Sequence, residues 1–130
     1  MSDSLRFVDL RYANRARGRT AAKFKASRKW SRAQWVQALV GELGELANIL
    51  KKVDRRDLTI EQARSEVAKE LADVQTYLDR LADACGVDLG KATIAKFNEV
   101  SERVGSNVQL RAGHWLLGVP PRRSKHGGGR

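Results

Sequence analysis

Two pairs of acidic residues, Glu42 with Glu45 and Glu70 with Asp73, have the types and spacing to hold a metal ion. Residues three apart on a helix share one face. Each acid also sits directly before an apolar position of a helical stripe. Leu39, Leu43, Leu46, Leu50 and Val53 recur at steps of four and three in one segment, and Val67, Leu71, Val74, Leu78 and Leu81 do so in the next. The offset is the same in both, so if the two helices pack as an antiparallel hairpin, all four carboxylates border one seam. Gathered there they would repel one another and lose hydration, a cost of several kcal/mol per ion unless something compensates. A divalent cation is the natural compensation. The donors are all oxygen, which suits Mg²⁺ or Mn²⁺ rather than zinc. A di-iron bundle would need a Glu-x-x-His motif from each of two helices. The two histidines, His114 and His126, both lie in the C-terminal tail. Glu61, Glu66, Asp79 and Asp83, by contrast, read as solvated decoration.

The elements that must position these acids follow from start and stop signals. Ser31 with Gln34 forms a capping box that opens a helix running to about Val53. Thr59 with Gln62 opens a second, which reaches about Cys85, with Gly86 as its stop. A third core helix follows Asp88, its stripe Thr93, Phe97, Val100 and Val104 ending at Gly105. Gly41 and Gly44 inside the first core helix call for close helix packing or a ligand approaching the backbone. Residues 4–29 read as a basic N-terminal helix followed by a loop at Gly18, and SNVQLRAGHWLLGV as a short extended or helical tail. The expected fold is therefore all-α: a helical bundle with a long antiparallel hairpin plus a third core helix, assembled as an oligomer because one hairpin does not cover both sides of its site. Residues 1–30 are a basic N-terminal arm, 31–105 the helical core and 106–130 a C-terminal tail whose last ten or so residues have the composition of disorder.

A chain of 130 residues builds one small core, and its single cysteine, Cys85, reads as a small core residue with no disulfide to make. No apolar run approaches the roughly 18 residues of a membrane span and no signal-peptide pattern opens the chain, so the expectation is a cytoplasmic protein without a membrane partner. The net charge of +10 suggests a nucleic-acid binder until it is located. Residues 33–102 carry 9 basic against 13 acidic residues, whereas the first 32 carry 10 against 2 and the stretch from Arg103 onward carries 6 against none. An acidic core between two basic arms fits a centre that holds cations and draws a polyanion from outside.

The segment GELGELANILKK, then ELAD, then KFNEVSERVG, resembles the MazG-like all-alpha nucleoside triphosphate pyrophosphohydrolase family, whose motif is E-x-x-E on one helix and E-x-x-D on the next. The resemblance runs from about Trp30 to Gly105. It implies Mg²⁺-dependent hydrolysis of a nucleoside or deoxynucleoside triphosphate, between the α and β phosphates, to the monophosphate and pyrophosphate. Carried over, Glu42, Glu45, Glu70 and Asp73 hold metal, and Glu45 is the preferred candidate for taking a proton from the attacking water. Lys51 and Lys52, two turns beyond Glu45, and Lys96, Asn98 and Arg103 on the last helix bind phosphate or sugar. Trp30 offers a face for the base, and Trp35, four residues before Leu39, reads as core. A homodimer or homotetramer is implied. Within the same fold the alternatives are a phosphoribosyl-ATP pyrophosphatase and a dUTP-specific hydrolase. The alternative of a different class, less favoured because it leaves the acidic seam without a reason, is a basic nucleic-acid-binding or assembly protein with no turnover.

Overall fold

The computed structural model describes residues 4–116. The elements run α1 (Phe7–Thr20), two 3₁₀ turns (Ala22–Phe24 and Ala26–Lys29), α2 (Arg32–Asp54), α3 (Ile60–Ala84), α4 (Leu89–Arg103), β1 (Gln109–Arg111) and β2 (His114–Leu116). The described residues are all-α apart from that two-stranded hairpin. It divides into two compact units between Asp88 and Leu89. Among the described residues no helix is long and apolar enough to cross a membrane.

In the first unit both expected capping boxes are present. The Gln34 amide N–H donates to Ser31 Oγ at 3.2 Å while the Ser31 N–H donates to Gln34 Oε1 at 2.8 Å. Thr59 and Gln62 repeat the exchange at 3.2 and 2.9 Å. Between them α2 ends on Arg56 at φ 64°, the left-handed conformation usually given to glycine. There the Arg56 and Asp57 N–H groups donate back to the carbonyls of Val53 and Lys52, both at 2.9 Å. Gly86 closes α3 with φ 69°.

α3 packs against α2 and also against α1. What holds α1 is a buried charge. Asp79 is 2% exposed and accepts from Arg11 Nε and Asn14 Nδ2, each at 2.9 Å. Arg15 grips Asp83 with two nitrogens, at 3.0 and 2.7 Å. Asp79 and Asp83 are thus not solvated decoration: a docked basic helix supplies the guanidinium groups that make their burial tolerable. The same docking carries α1 unbroken past Gly18, which lies buried, and the chain leaves the helix only at Ala21.

The apolar stripes are less covered than their periodicity suggests. Among the described residues the buried apolar side chains are Trp35, Ala63 and Ala82, whereas Leu43 is 45% and Leu71 52% exposed. Cys85 is also exposed rather than packed in the core.

In the second unit, β1 pairs antiparallel with β2, Leu110 opposite Trp115, across a turn in which Gly113 takes φ 80°. The described part of the stretch expected to be extended or helical, which reaches Leu116, therefore forms a strand hairpin. α4 packs on β1, while Phe97 and Val104 of its stripe remain exposed. The last residues, expected to be disordered, lie outside the described residues.

Replacing Asp79 with alanine leaves Arg11 and Asn14 facing an empty acceptor. Removing one partner of a buried charge pair typically costs about 3 kcal/mol or more. The Asp79→Ala protein should lose that much unfolding free energy in a urea titration, or lose hydrogen-exchange protection across Phe7–Thr20 as α1 undocks. A variant as stable and as protected as the parent would contradict the role assigned to Asp79.

Candidate metal and nucleotide site

Glu42 and Glu45 lie on α2 and Glu70 on α3, and one carboxylate oxygen from each falls within 4.8 Å of the other two. Glu42 and Glu70 are half-buried while their neighbours Leu43 and Leu71 are exposed. It is thus the acids, not those two leucines, that turn toward the seam. Glu70 Oε2 is buried with no hydrogen-bond partner. Burial, reinforced by the charges of Asp73, Glu45 and Glu70, pushes the Glu42 carboxyl up. Burial and then Glu45 do the same to Glu70, with Asp73 adding to the effect. Asp73 is exposed and stands outside the group of three, yet its charge is felt by both helices. Three convergent carboxylates, one of which carries a buried oxygen without a donor, fit a hard divalent cation.

Asp73 also lines a cavity of about 320 Å³ beside the acids, where Phe24, Trp30, Trp35 and Tyr77 supply aromatic surface and Arg17 and Arg80 supply donors. Trp35 is 5% exposed and organises this wall. The Trp30 ring is 4.8 Å from it, the Tyr77 ring 6.2 Å, and the Arg80 guanidinium lies over it at 4.6 Å. The Tyr77 hydroxyl is pushed up by burial first and then by Glu42 and Asp73, which ties the cavity electrostatically to the acidic group.

The remaining sequence-derived candidates fall elsewhere. Lys51 and Lys52 are exposed in the last turn of α2, a position that also favours cations through the helix dipole. Lys96, Asn98 and Arg103 belong to the second unit. There Lys96 pairs with Glu99, and Arg103 is exposed at the end of α4. Asn98 Nδ2 donates to the Leu110 carbonyl at 3.0 Å and its Oδ1 accepts the Leu110 N–H at 2.8 Å, so this amide ties α4 to the hairpin. Residues that the sequence did not single out are Tyr77, Arg80 and Asn14. Tyr77 carried a signal, since it follows Asp73 by four residues and so shares its face. Arg80, three residues beyond Tyr77 on the same helix, shares that face and stacks on Trp35, whereas Asn14 and Arg17 reach the cavity only because α1 docks on α3.

No family model matches the chain. Over 93 residues it is 37% identical to dCTP pyrophosphatase 1 of Rattus norvegicus, covering 65% of this chain and 55% of that protein. It is 36% identical over 88 residues to dCTP pyrophosphatase 1 of Homo sapiens, covering 62% and 52%. It is also 36% identical over 72 residues to the Gene 37 protein of Mycobacterium phage L5, covering 54% and 63%. The chain thus spans little more than half the length of the dCTP pyrophosphatases it matches. Those relatives are members of the MazG-like nucleoside triphosphate pyrophosphohydrolase family, the one that the acidic pairs resemble.

The raised carboxyl of Glu70 fixes the sign of a stability effect. The folded state favours its neutral form, so the penalty is absent below the ordinary value of 4.5 and complete once the pH has passed the raised value. In EDTA, Glu70→Gln protein should therefore melt above the parent at about pH 7 and level with it at about pH 4. A lower melting temperature at pH 7 would mean that the carboxylate has a stabilising partner in the metal-free protein.

Proposed function

We propose that this homologue of the MazG-like pyrophosphohydrolases cleaves a deoxynucleoside triphosphate between its α and β phosphates, giving the monophosphate and pyrophosphate. The observation that carries the reading is the convergence of Glu42, Glu45 and Glu70 beside an aromatic cavity. That pairing of a hard-cation site with a flat stacking surface is what a base joined to a phosphate chain requires. The names of the relatives favour dCTP as substrate over phosphoribosyl-ATP or dUTP.

In this reading α2 and α3 form an antiparallel hairpin within a catalytic core spanning residues 31–105. Glu42, Glu45 and Glu70, with Asp73 at their edge, hold Mg²⁺ or Mn²⁺. The bound cation supplies polarised phosphate oxygens and a more acidic water. Glu45, the exposed member of the three, takes a proton from the attacking water. Trp30 stacks on the base, while Trp35 holds Trp30 in place from the core. Arg17 and Arg80 offer donors only, so they face the acceptor atoms of the base. Lys51 and Lys52 are the phosphate-binding candidates of the first unit, and Lys96, Asn98 and Arg103 are phosphate- and sugar-binding candidates of the second unit taken by itself. The enzyme works in the cytoplasm.

A homodimer or homotetramer completes the site. Val36, Val40 and Leu43 of α2 and Leu71 of α3 are all at least 44% exposed. A Cβ added to Gly41 or Gly44 would meet nothing within 4 Å. An apolar face of this kind on a charged protein favours a second copy that covers it, and Leu43 and Leu71 adjoin Glu42 and Glu70 in sequence.

The reading is tested with purified protein, Mg²⁺ and a panel of nucleoside triphosphates, the products resolved by chromatography. We expect dCMP and pyrophosphate from dCTP, and a loss of at least about 100-fold in kcat for Glu45→Gln with helix content unchanged. Orthophosphate as product would refute the cleavage position, and a fully active Glu45→Gln enzyme would remove the proton-transfer role. Leu43→Asp should shift the protein toward monomer in light scattering. An unaltered mass would place the subunit contact elsewhere.

A further inference from the structure

A second cavity, on the basic side of the first unit, has the opposite charge problem. Arg15, Arg19, Arg28 and Arg80 line a space of about 210 Å³ around Gly18, its one other lining residue. Gly18 is where these groups converge: a Cβ added there would meet the Arg80 guanidinium nitrogens at 3.5 and 3.6 Å and Arg28 Cγ at 3.8 Å. Arg15 is balanced by Asp83. Arg19 and Arg28 have no such balance, since no carboxylate pairs with either among the described residues.

Arg80 is the unusual member. It is half-buried, stacks on Trp35, and donates one long hydrogen bond, to the Asn14 carbonyl at 3.4 Å. A guanidinium has five N–H donors, and burying it without satisfying them is costly. Burial pushes Arg80 below its ordinary value, even though Asp83 and Asp79 pull the other way. Two guanidinium groups without a carboxylate partner, and a third with most of its donors unused, therefore face one small cavity. A tetrahedral oxyanion with several acceptor oxygens would satisfy all three, because guanidinium forks match phosphate geometry.

We propose that the Gly18 cavity is a binding site for a phosphate-class anion, separate from the acidic centre. No residue of that acidic group lines it, and only Gly18 and Arg80 are shared with the aromatic cavity. Arg80 would then join the two spaces, stacked on Trp35 on one side and holding phosphate on the other. The anion is inorganic phosphate or the phosphate group of a nucleotide.

Calorimetric titration of the whole chain in EDTA, at constant ionic strength in chloride, tests this without any metal or turnover. One arm uses inorganic phosphate and the other a nucleoside monophosphate. We expect saturable binding near one equivalent in at least one arm. That binding should weaken at least tenfold in Arg19→Ala/Arg28→Ala protein, and also in Arg19→Glu protein, while Arg111→Ala leaves it unchanged. Both targeted arginines are exposed, and circular dichroism verifies that each variant is folded. Whichever arm binds more tightly names the source of the phosphate. Heats no larger than the chloride control in both arms would overturn the proposal, as would affinity unchanged in the two cavity variants or lost equally in Arg111→Ala. Because the metal-free protein has no hydrolytic turnover to contribute, failure here is distinct from failure of the proposed hydrolysis.

Discussion

The approach of Glu42, Glu45 and Glu70 to within 4.8 Å of one another is the constraint around which the first unit is arranged. Left alone, three such carboxylates would drive α2 and α3 apart, since like charges at this range repel strongly where water is scarce. The ends of both helices are set by features that owe nothing to the acids. A capping box fixes the start of each, and a left-handed turn at Arg56 ends α2 with two back-directed hydrogen bonds.

α3 carries a second buried acid, and the contrast with the first is informative. Asp79 lies nine residues beyond Glu70, which on an α-helix is the opposite side. Both have oxygen atoms withdrawn from solvent, but Asp79 accepts from Arg11 and Asn14 whereas Glu70 Oε2 accepts from nothing. A satisfied buried carboxylate is structural: it fastens α1 to the bundle. An unsatisfied one keeps its lone pairs for a ligand. The fastening has a further consequence, since it brings Asn14, Arg17 and Gly18 to the wall where Trp30, Trp35 and Tyr77 stand, and so converts a basic arm into one side of a cavity.

The helical segments were readable because their signals are local. Capping boxes, left-handed glycines and apolar periodicity act over one to three turns, and α2, α3 and α4 begin and end within a residue or two of the positions these signals indicate. The acidic pairs were legible for the same reason, because three-residue spacing places two side chains on one face whatever the rest of the chain does. Burial was less legible. Leu43 and Leu71 belong to their stripes by count, yet they are exposed while the acids beside them are not, because a helix stripe is wider than the contact one neighbour makes with it. Asp79 and Asp83 looked like surface charges, and only the distant arginines of α1 explain their burial.

By itself, then, the amino-acid sequence determined an all-α chain with two acid-bearing helices, their caps and an uneven charge distribution, all consequences of interactions between residues close along the backbone. Tertiary structure decided which acid is paired and which is left without a donor. It also decided that the helix of the basic arm runs through Gly18 to dock on α3, and that four arginines converge there. Those outcomes depend on contacts across 60 or more residues, such as Asn14 with Asp79 and Arg15 with Asp83. No local pattern encodes such contacts, because their energy comes from desolvated partners that meet only once the helices have packed.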